Sequence, residues 1–335
     1  MQPSLRYLDR HTVQQLGGTD PLNALQDIRT VTQLMRQGEA RMPAETHVDL
    51  ATPSGKAYAL PAGVGGRFNA AGVKWTAHRP QARDALPQAL AVTLINRLSD
   101  GLPLGIVESA SLTAVRTAAV SALALRHAAP RPVRRILLMG AGVQAQAHLE
   151  MLRVLFPTLE NVVWWNRSEE RLLRTMENTP TLPWPIDIPT TLQQALQTDY
   201  DALLTCTSAP LPFIGAETVR DGTIVLQIGY HEMQFAGIRH ATKVVVDAWG
   251  DFCQSSAKSL FQMYRAGAFH PSEVSADLEQ LLLDPWQSQA NDRVYFSSFG
   301  LNVFDIALAA RVLQDAERQN VGTLLPLFSG LHHVD

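Results

Sequence analysis

Six residues constrain this chain more than any others. Gly140-Ala141-Gly142-Val143-Gln144-Ala145 follows a short apolar run, Ile136-Leu137-Leu138-Met139, and opens a stretch that reads as a helix from Val143 to Leu155. Each small residue has its own physical reason. Glycine at 140 permits a tight turn off a strand, and glycine at 142 lets backbone approach a phosphate. Alanine at 145 lets helix and strand pack closely. The helix N-terminus then offers free N–H groups and the positive end of its dipole to an anion. A glycine turn of this kind also occurs in other α/β proteins. The strand before it and the helix after it select the dinucleotide-binding reading.

The rhythm around the loop agrees. A helix rich in alanine and leucine runs from about Leu112 to His127, and Pro130 and Pro132 stop it. Apolar segments then recur at Val162 to Trp165, Leu192 to Leu196, Ala202 to Thr205, Thr223 to Ile228 and Val244 to Val246. Short strands that are apolar on both faces belong to a parallel sheet. The first third differs. Asp20 and Pro21 start a helix whose Leu25, Ile28, Val31 and Met35 share one face. Hairpin turns are expected at Pro53-Ser54-Gly55 and Ser99-Asp100-Gly101. A last helix, about Asp305 to Arg318, leaves the alternating region. The expected fold is α/β: a Rossmann-type doubly wound parallel sheet over 113–306, with a second, discontinuous α+β domain from 1–112 plus 307–335. At 335 residues, 46% of them hydrophobic, the chain can fill two cores.

Several function classes fall away. A net charge of -3 offers no basic stripe for nucleic acid or a membrane surface. There is no run of about 18 apolar residues, and Met1 to Arg10 lacks the apolar core of a signal peptide. Cys206 and Cys253 match no zinc spacing and cannot form a disulfide framework, so the expectation is a cytoplasmic protein with no metal site.

The segment after the second strand bears on cofactor choice. NAD-specific sites usually place an acid there to accept from the ribose hydroxyls. Trp165-Asn166-Arg167-Ser168 has none. An acid would repel the 2′-phosphate of NADP, whereas arginine and serine can bind it. Asn166, Arg167 and Ser168 therefore read as a 2′-phosphate site, favouring NADP(H) with NAD(H) as the alternative. A solvated Arg-Ser turn is the other interpretation of the same residues.

A family resemblance enters at this point. Glu108-Ser109-Ala110-Ser111-Leu112-Thr113-Ala114-Val115-Arg116-Thr117-Ala118-Ala119 runs into the glycine loop and resembles the signature of the ornithine cyclodeaminase/mu-crystallin family. Thr205-Cys206-Thr207-Ser208 and Ser298-Phe299-Gly300 with Asp305 resemble two further motifs of that family. Tyr7-Leu8-Asp9-Arg10, Gly72-Val73-Lys74-Trp75, Val244 to Trp249 and Asn320 to Thr323 are most similar to its siderophore-pathway branch, which releases 2,3-diaminopropionate from N-(2-amino-2-carboxyethyl)-glutamate. That branch usually carries the NAD-type acid, and Asn166-Arg167-Ser168 departs from it.

The resemblance implies a homodimer, an amino-acid-like substrate and a set of site residues. Lys74 becomes a ligand for a substrate carboxylate or imine, where bare sequence allows a surface lysine. Arg116 becomes the carboxylate anchor, where bare sequence also allows an exposed helix arginine, with Thr117 beside it on cofactor or substrate. Gly140, Gly142, Val143, Gln144, Thr205, Thr207, Ser208, Gly229, Ser298 and Gly300 would border the cofactor. His231, in the loop after the fifth strand, stands about where ornithine cyclodeaminases place a catalytic aspartate. As a histidine it is either a proton carrier or an inert loop residue. The family usually has a cation after Pro43, and this chain has Glu45, with Arg41 close by. A Glu45 facing solvent carries no meaning; a Glu45 at the pocket calls for an amine or guanidine on the substrate. The expected activity is hydride transfer at the Cα–N bond of an amino-acid derivative. The alternatives are ornithine cyclodeamination with bound NAD and non-catalytic NADPH or ligand binding.

Overall fold

A computed structural model describes residues 4–51, 55–79 and 86–327. The chain begins with β1 (Ser4–Leu8), α1 (Arg10–Gln15) and α2 (Pro21–Arg36). There follow β2 (Ala40–Arg41), β3 (Thr46–Asp49), β4 (Lys56–Val64), β5 (Ala70–His78), β6 (Ala89–Arg97) and β7 (Pro103–Glu108). Helix α3 (Ala110–Ala128) leads into an alternating series: β8 (Arg135–Met139), α4 (Val143–Leu155), β9 (Asn161–Trp165), α5 (Glu169–Glu177), β10 (Ile186–Asp187), α6 (Leu192–Gln197), β11 (Ala202–Thr205) and β12 (Ile224–Gln227). It continues through α7 (Phe235–His240), β13 (Lys243–Val246), α8 (Ser259–Arg265), β14 (Val274–Asp277), α9 (Leu278–Leu283) and β15 (Val294–Ser297). Helix α10 (Asn302–Gln319) and β16 (Thr323–Pro326) close the described chain. Two compact units result: Met1–Arg116 with Leu301–Asp335, and Thr117–Gly300. The division falls inside α3, so Arg116 and Asp305 belong to the first unit and Thr117 to the second.

In the first unit the strand order is β16-β1-β7-β6-β5-β4-β2, with β3 also on β4. All pairs are antiparallel except β1 with β7. Helix α10 covers one face over β4, β5 and β6. It can lie close because glycines line its path. A Cβ on Gly72 would stand 2.3 Å from the Leu94 carbonyl and 3.1 Å from Ile306. Val303, Ile306, Ala307 and Ala310 form part of the buried side of α10. Burial of Val303 and Ile306 contributes about 1.5–3 kcal/mol each, and the methyl of each alanine less than about 1 kcal/mol. Helix α2 starts as its residues require: Asp20 accepts from the Asn23 amide and Pro21 opens the helix. Its Leu25, Ile28 and Val31 are buried, and Met35 is half-buried. Asp27 on the same face is fully buried and meets Arg67 and Arg311, each at 2.6 Å. Of the expected turns, Ser99-Asp100-Gly101 joins β6 to β7, with Gly101 at φ +76°. Pro53 and Ser54 lie outside the described residues, while β3 and β4 pair antiparallel on either side of them.

The second unit is a parallel sheet in the order β10-β9-β8-β11-β12-β15-β13-β14. The chain moves outward from β8 to β9 and β10, then returns to place β11 on the other side of β8. That reversal is the switch point of a doubly wound sheet, and ligands bind at the carboxyl ends of strands there. Strand β15, late in sequence, inserts between β12 and β13. The α/β fold with a parallel sheet is thus as expected. The short strands β11 and β12 are buried along their whole length, which explains why they show no alternation in sequence. Among the described residues no helix is long and apolar enough to cross a membrane.

Candidate functional site

The second unit carries the glycine loop. Gly140 sits at φ +109°, and a Cβ there would come within 2.3 Å of the Cys206 carbonyl on the neighbouring strand end. Its amide donates to Trp165 O at 2.9 Å and its carbonyl accepts from the Trp164 indole at 2.6 Å. Gly142 is the N-cap of α4 in extended conformation, and no side chain caps the helix. The first-turn N–H groups of this 13-residue helix are therefore not taken by a protein side chain. Val143 is exposed at the helix start, Gln144 carries a buried Oε1 with no hydrogen-bond partner among the described residues, and Ala145 is fully buried. A Cβ on Gly142 would find only the Arg171 guanidinium, 3.8 Å away. A closed turn, an uncapped helix and an adjacent cation fit the pyrophosphate of a dinucleotide. His148 on the same helix is structural: it meets Gln144 O at 2.7 Å and Ser121 Oγ at 2.9 Å, and burial lowers its pKa to about 4.

Beyond β9, Asn166 Nδ2 donates to Ser168 O at 2.8 Å, and Ser168 caps α5 by accepting from the Arg171 amide. Arg167 is exposed and makes no ion pair among the described residues. Arg171 was missed in sequence because only the fold turns α5 back toward Gly142.

The strand ends of this unit hold a buried polar network. Thr205 Oγ1 lies within the sheet, 3.5 Å from Leu226 O. Thr207 donates to Glu232 Oε1 through both Oγ1, at 2.9 Å, and its amide, at 3.2 Å. Ser208 is exposed. Glu232 is fully buried and also accepts from Gln227. Its Oε1 lies where a Cβ on Gly229 would stand, which explains glycine at that position. Lys258, also buried, donates to both Ile228 O and Gly229 O at 2.6 Å. Asp247 accepts from the Gly300 amide at 2.6 Å and from Ser298 Oγ at 3.4 Å. Burial raises its pKa, against the lowering effect of the Phe299 and Gly300 amides. Gly300 itself sits at φ +98°. His231 is half-buried, with Nδ1 2.9 Å from Gln262 Nε2. Glu232 and Lys258 carried no recognisable spacing signal, because Thr207, Gln227 and the Ile228 and Gly229 carbonyls meet them only once the strand ends are folded together.

The first unit carries a different cluster. Gly72, Lys74, Thr76 and His78 alternate onto the face of β5 that α10 covers, so Lys74 is only 3% exposed. Its Nζ meets Asp305 Oδ2 at 2.8 Å, and Arg116 Nε meets Asp305 Oδ1 at 3.1 Å. Thr113 Oγ1 is 3.2 Å from the same carboxylate. Asp305 lies in the first turn of α10, where the helix dipole favours an anion. Burial opposes its charge, but Arg116 and Lys74 outweigh it and hold the carboxyl below the usual range. Burial lowers the Lys74 ammonium to about 8, helped by Arg116 and opposed by Asp305 and Glu45. Glu45 is half-buried; burial raises its pKa, and Lys74 and His47 pull it down. Tyr58 stands between His47 and His78, with ring centroids 5.4 and 5.5 Å away. Arg41 is exposed, with Nε on the Gly38 carbonyl at the end of α2. Thr117 is buried at the start of the second unit's share of α3. No cluster of three or more potential metal-binding side chains (His, Cys, Asp or Glu) occurs among the described residues.

Comparison with known proteins agrees with these features. Over 98% of its length the chain is 24% identical to the whole of an N-((2S)-2-amino-2-carboxyethyl)-L-glutamate dehydrogenase from Staphylococcus aureus. It superposes with a TM-score of 0.86 at 22% identity on the Delta(1)-pyrroline-2-carboxylate reductase of Thermococcus litoralis, solved with NADH and L-proline, covering 95% of this chain and 99% of that one. An archaeal alanine dehydrogenase dimer with bound NAD gives 0.84 at 23% identity, over 97% and 100% of the two chains. Residues 10–320 match a single family description, and the chain belongs to the ornithine cyclodeaminase/mu-crystallin family.

Proposed function

We propose that this protein is an NAD(P)H-dependent oxidoreductase acting on the Cα–N bond of an amino-acid derivative. The observation that carries the proposal is the buried Lys74–Asp305–Arg116 cluster. Replacing a buried ion cluster by apolar residues is often neutral or stabilising, so such a cluster is a poor device for stability alone. It is a good device for binding a small anion. Arg116 would fork the substrate carboxylate through its terminal nitrogens while Asp305 holds Nε. Lys74 would polarise the imine and supply the proton that its nitrogen gains on reduction. With a pKa near 8 it can do so near neutral pH.

The dinucleotide supplies a hydride when bound. Gly140, Gly142 and the first turn of α4 would hold its pyrophosphate, with Val143, Gln144, Thr205, Thr207, Ser208, Ser298 and Gly300 around it. The Gly229 loop, fixed by Lys258 and Glu232, would border its reactive end, with His231 as a proton-transfer group there. Arg167 favours NADP(H) over NAD(H), since it offers a guanidinium after β9 and no acid occupies 165–168, while Arg171, beside Gly142, would serve the pyrophosphate common to both.

A homodimer fits the outer face of the first unit's sheet. Tyr7, Ile106, Leu94 and Val73 lie side by side across four strands, with Val92 and Trp75 in the row beside them. Trp75 is 44% and Val92 41% exposed. Exposed apolar patches rimmed by polar groups mark interfaces, and a second copy is the occupant proposed here.

Oxidation of NADPH in the presence of small 2-oxo acids and amines tests the activity. Lys74→Met and Arg116→Ala should each lower kcat/KM by about 2–5 kcal/mol, roughly 30-fold to several thousand-fold, while cofactor affinity measured by fluorescence stays nearly constant. Turnover that survives both substitutions would overturn the assignment.

A further inference from the structure

We infer that Glu45 forms an anionic subsite beside Lys74, which selects amino-acid derivatives carrying a cationic group on the side chain. The inference rests on the oxidoreductase reading above and names its substrate class.

The placement follows from strand register. Thr46 pairs with Ala59, so Glu45, the residue before it, comes opposite Leu60. Leu60 pairs with Lys74, and Lys74 pairs with Thr93. Residues directly opposite one another in antiparallel strands share a face. Glu45 and Lys74 therefore lie on one face, two strands apart, with Leu60 between them. At about 4.8 Å per strand their backbones are about 10 Å apart. This is the face that holds Asp305, Thr113 and Arg116. Tyr58, His47 and His78 stand along the same part of the sheet.

Charge then decides the ligand. Lys74 and Arg116 are two cations, and Asp305 already pairs with both. Glu45 adds a second anion. Among the described residues it makes no ion pair within 4 Å, although it is half-buried and feels the Lys74 charge. With Glu45 ionised the four groups sum to zero. An α-amino acid brings one charge of each sign at its α-carbon, for Lys74, Arg116 and Asp305 to take up, so Glu45 is left as the group that a cation on the ligand side chain would pair with. A second carboxylate on the ligand would face Glu45 as a like charge, and repulsion of that kind excludes wrong partners. The spacing suits an ammonium several bonds from the α-carbon, not one on it.

Three ligands of similar length separate the possibilities: L-lysine, L-norleucine and L-2-aminoadipate, with a cationic, neutral and anionic end. Their binding to NADP-loaded protein is measured by calorimetry, and their NADP-dependent oxidation by absorbance, for the wild type and Glu45→Gln. Lysine should bind at least about tenfold more tightly than norleucine, the scale of one close charge pair. Aminoadipate should bind more weakly than both. In Glu45→Gln, lysine should fall to within about twofold of norleucine while norleucine is unchanged. Equal binding of lysine and norleucine by the wild type, or an equal loss for all three in the variant, overturns the inference. Turnover without that order would leave the oxidoreductase reading standing and remove the subsite. The binding order without any turnover would do the reverse. Absence of both binding and turnover for all three ligands overturns both.

Discussion

The two units bury charge by opposite means. In the second unit, Lys258 donates to two carbonyls and Asp247 accepts from two backbone amides. In the first, Lys74 and Arg116 both pair with one carboxylate, Asp305. Backbone partners cannot leave, so charges satisfied by backbone shape loops and hold them. Side-chain partners can be shared with or exchanged for a ligand of the same charge. On the proposed function, the second unit's charges would be scaffold for the cofactor loops, and the first unit's charges would act on substrate.

The largest expected effect tests this contrast through stability. Asp305→Ala leaves two buried cations unpaired and should cost about 3–5 kcal/mol in urea unfolding. Lys258→Met leaves two neutral carbonyls, at about 1–3 kcal/mol each, and removes a cation that acts on Asp247, so its cost overlaps that of Asp305→Ala. Added formate should restore part of the Asp305→Ala loss and none of the Lys258→Met loss; an equal response of the two variants would break the comparison.

A smaller effect sharpens it through pH. Lys74 has its pKa lowered from 10.5 to about 8 in the folded protein. Between those values the unfolded chain binds the proton and the folded chain does not. The penalty of burying the ammonium is therefore fully present below pH 8 and relieved as pH rises toward 10.5. Relative to Lys74→Met, wild-type stability should rise over that interval. Imine reduction, which on the proposed function takes its proton from the Lys74 ammonium, should fall over the same interval. Stability and activity moving together would remove Lys74 as the proton donor.

The smallest effect concerns the exposed edge of the second unit. Arg167→Ala should weaken NADPH binding by about 1 kcal/mol, since a solvent-facing charge pair is screened, and leave NADH unaffected. Equal affinity of the wild type for both cofactors would break the 2′-phosphate assignment.

Much of this was legible in advance because it is local. Gly140 and Gly142 are required by backbone geometry within a few residues, and Asp20 with Pro21 starts α2 by contacts that span one turn. Lys74 was ambiguous for a physical reason: β5 places it on a face, but only α10, more than 200 residues later, covers that face. Asp305 was visible as part of a motif, and its role as the shared partner of two cations was not. Arg171 reaches Gly142 only because α5 packs on the glycine loop, with Thr175 donating to Ala141 O, and Glu45 comes to the face of Lys74 only through the register of β3, β4 and β5. The sequence by itself determined the parallel sheet, the glycine turn and the helix that carries Arg116, since strand apolarity, glycine conformation and capping are set by near neighbours. The tertiary structure alone decided which charges are buried, and against what. Burial is a property of the surfaces that distant segments bring together, and a charge acquires its strength and its pKa from that surrounding.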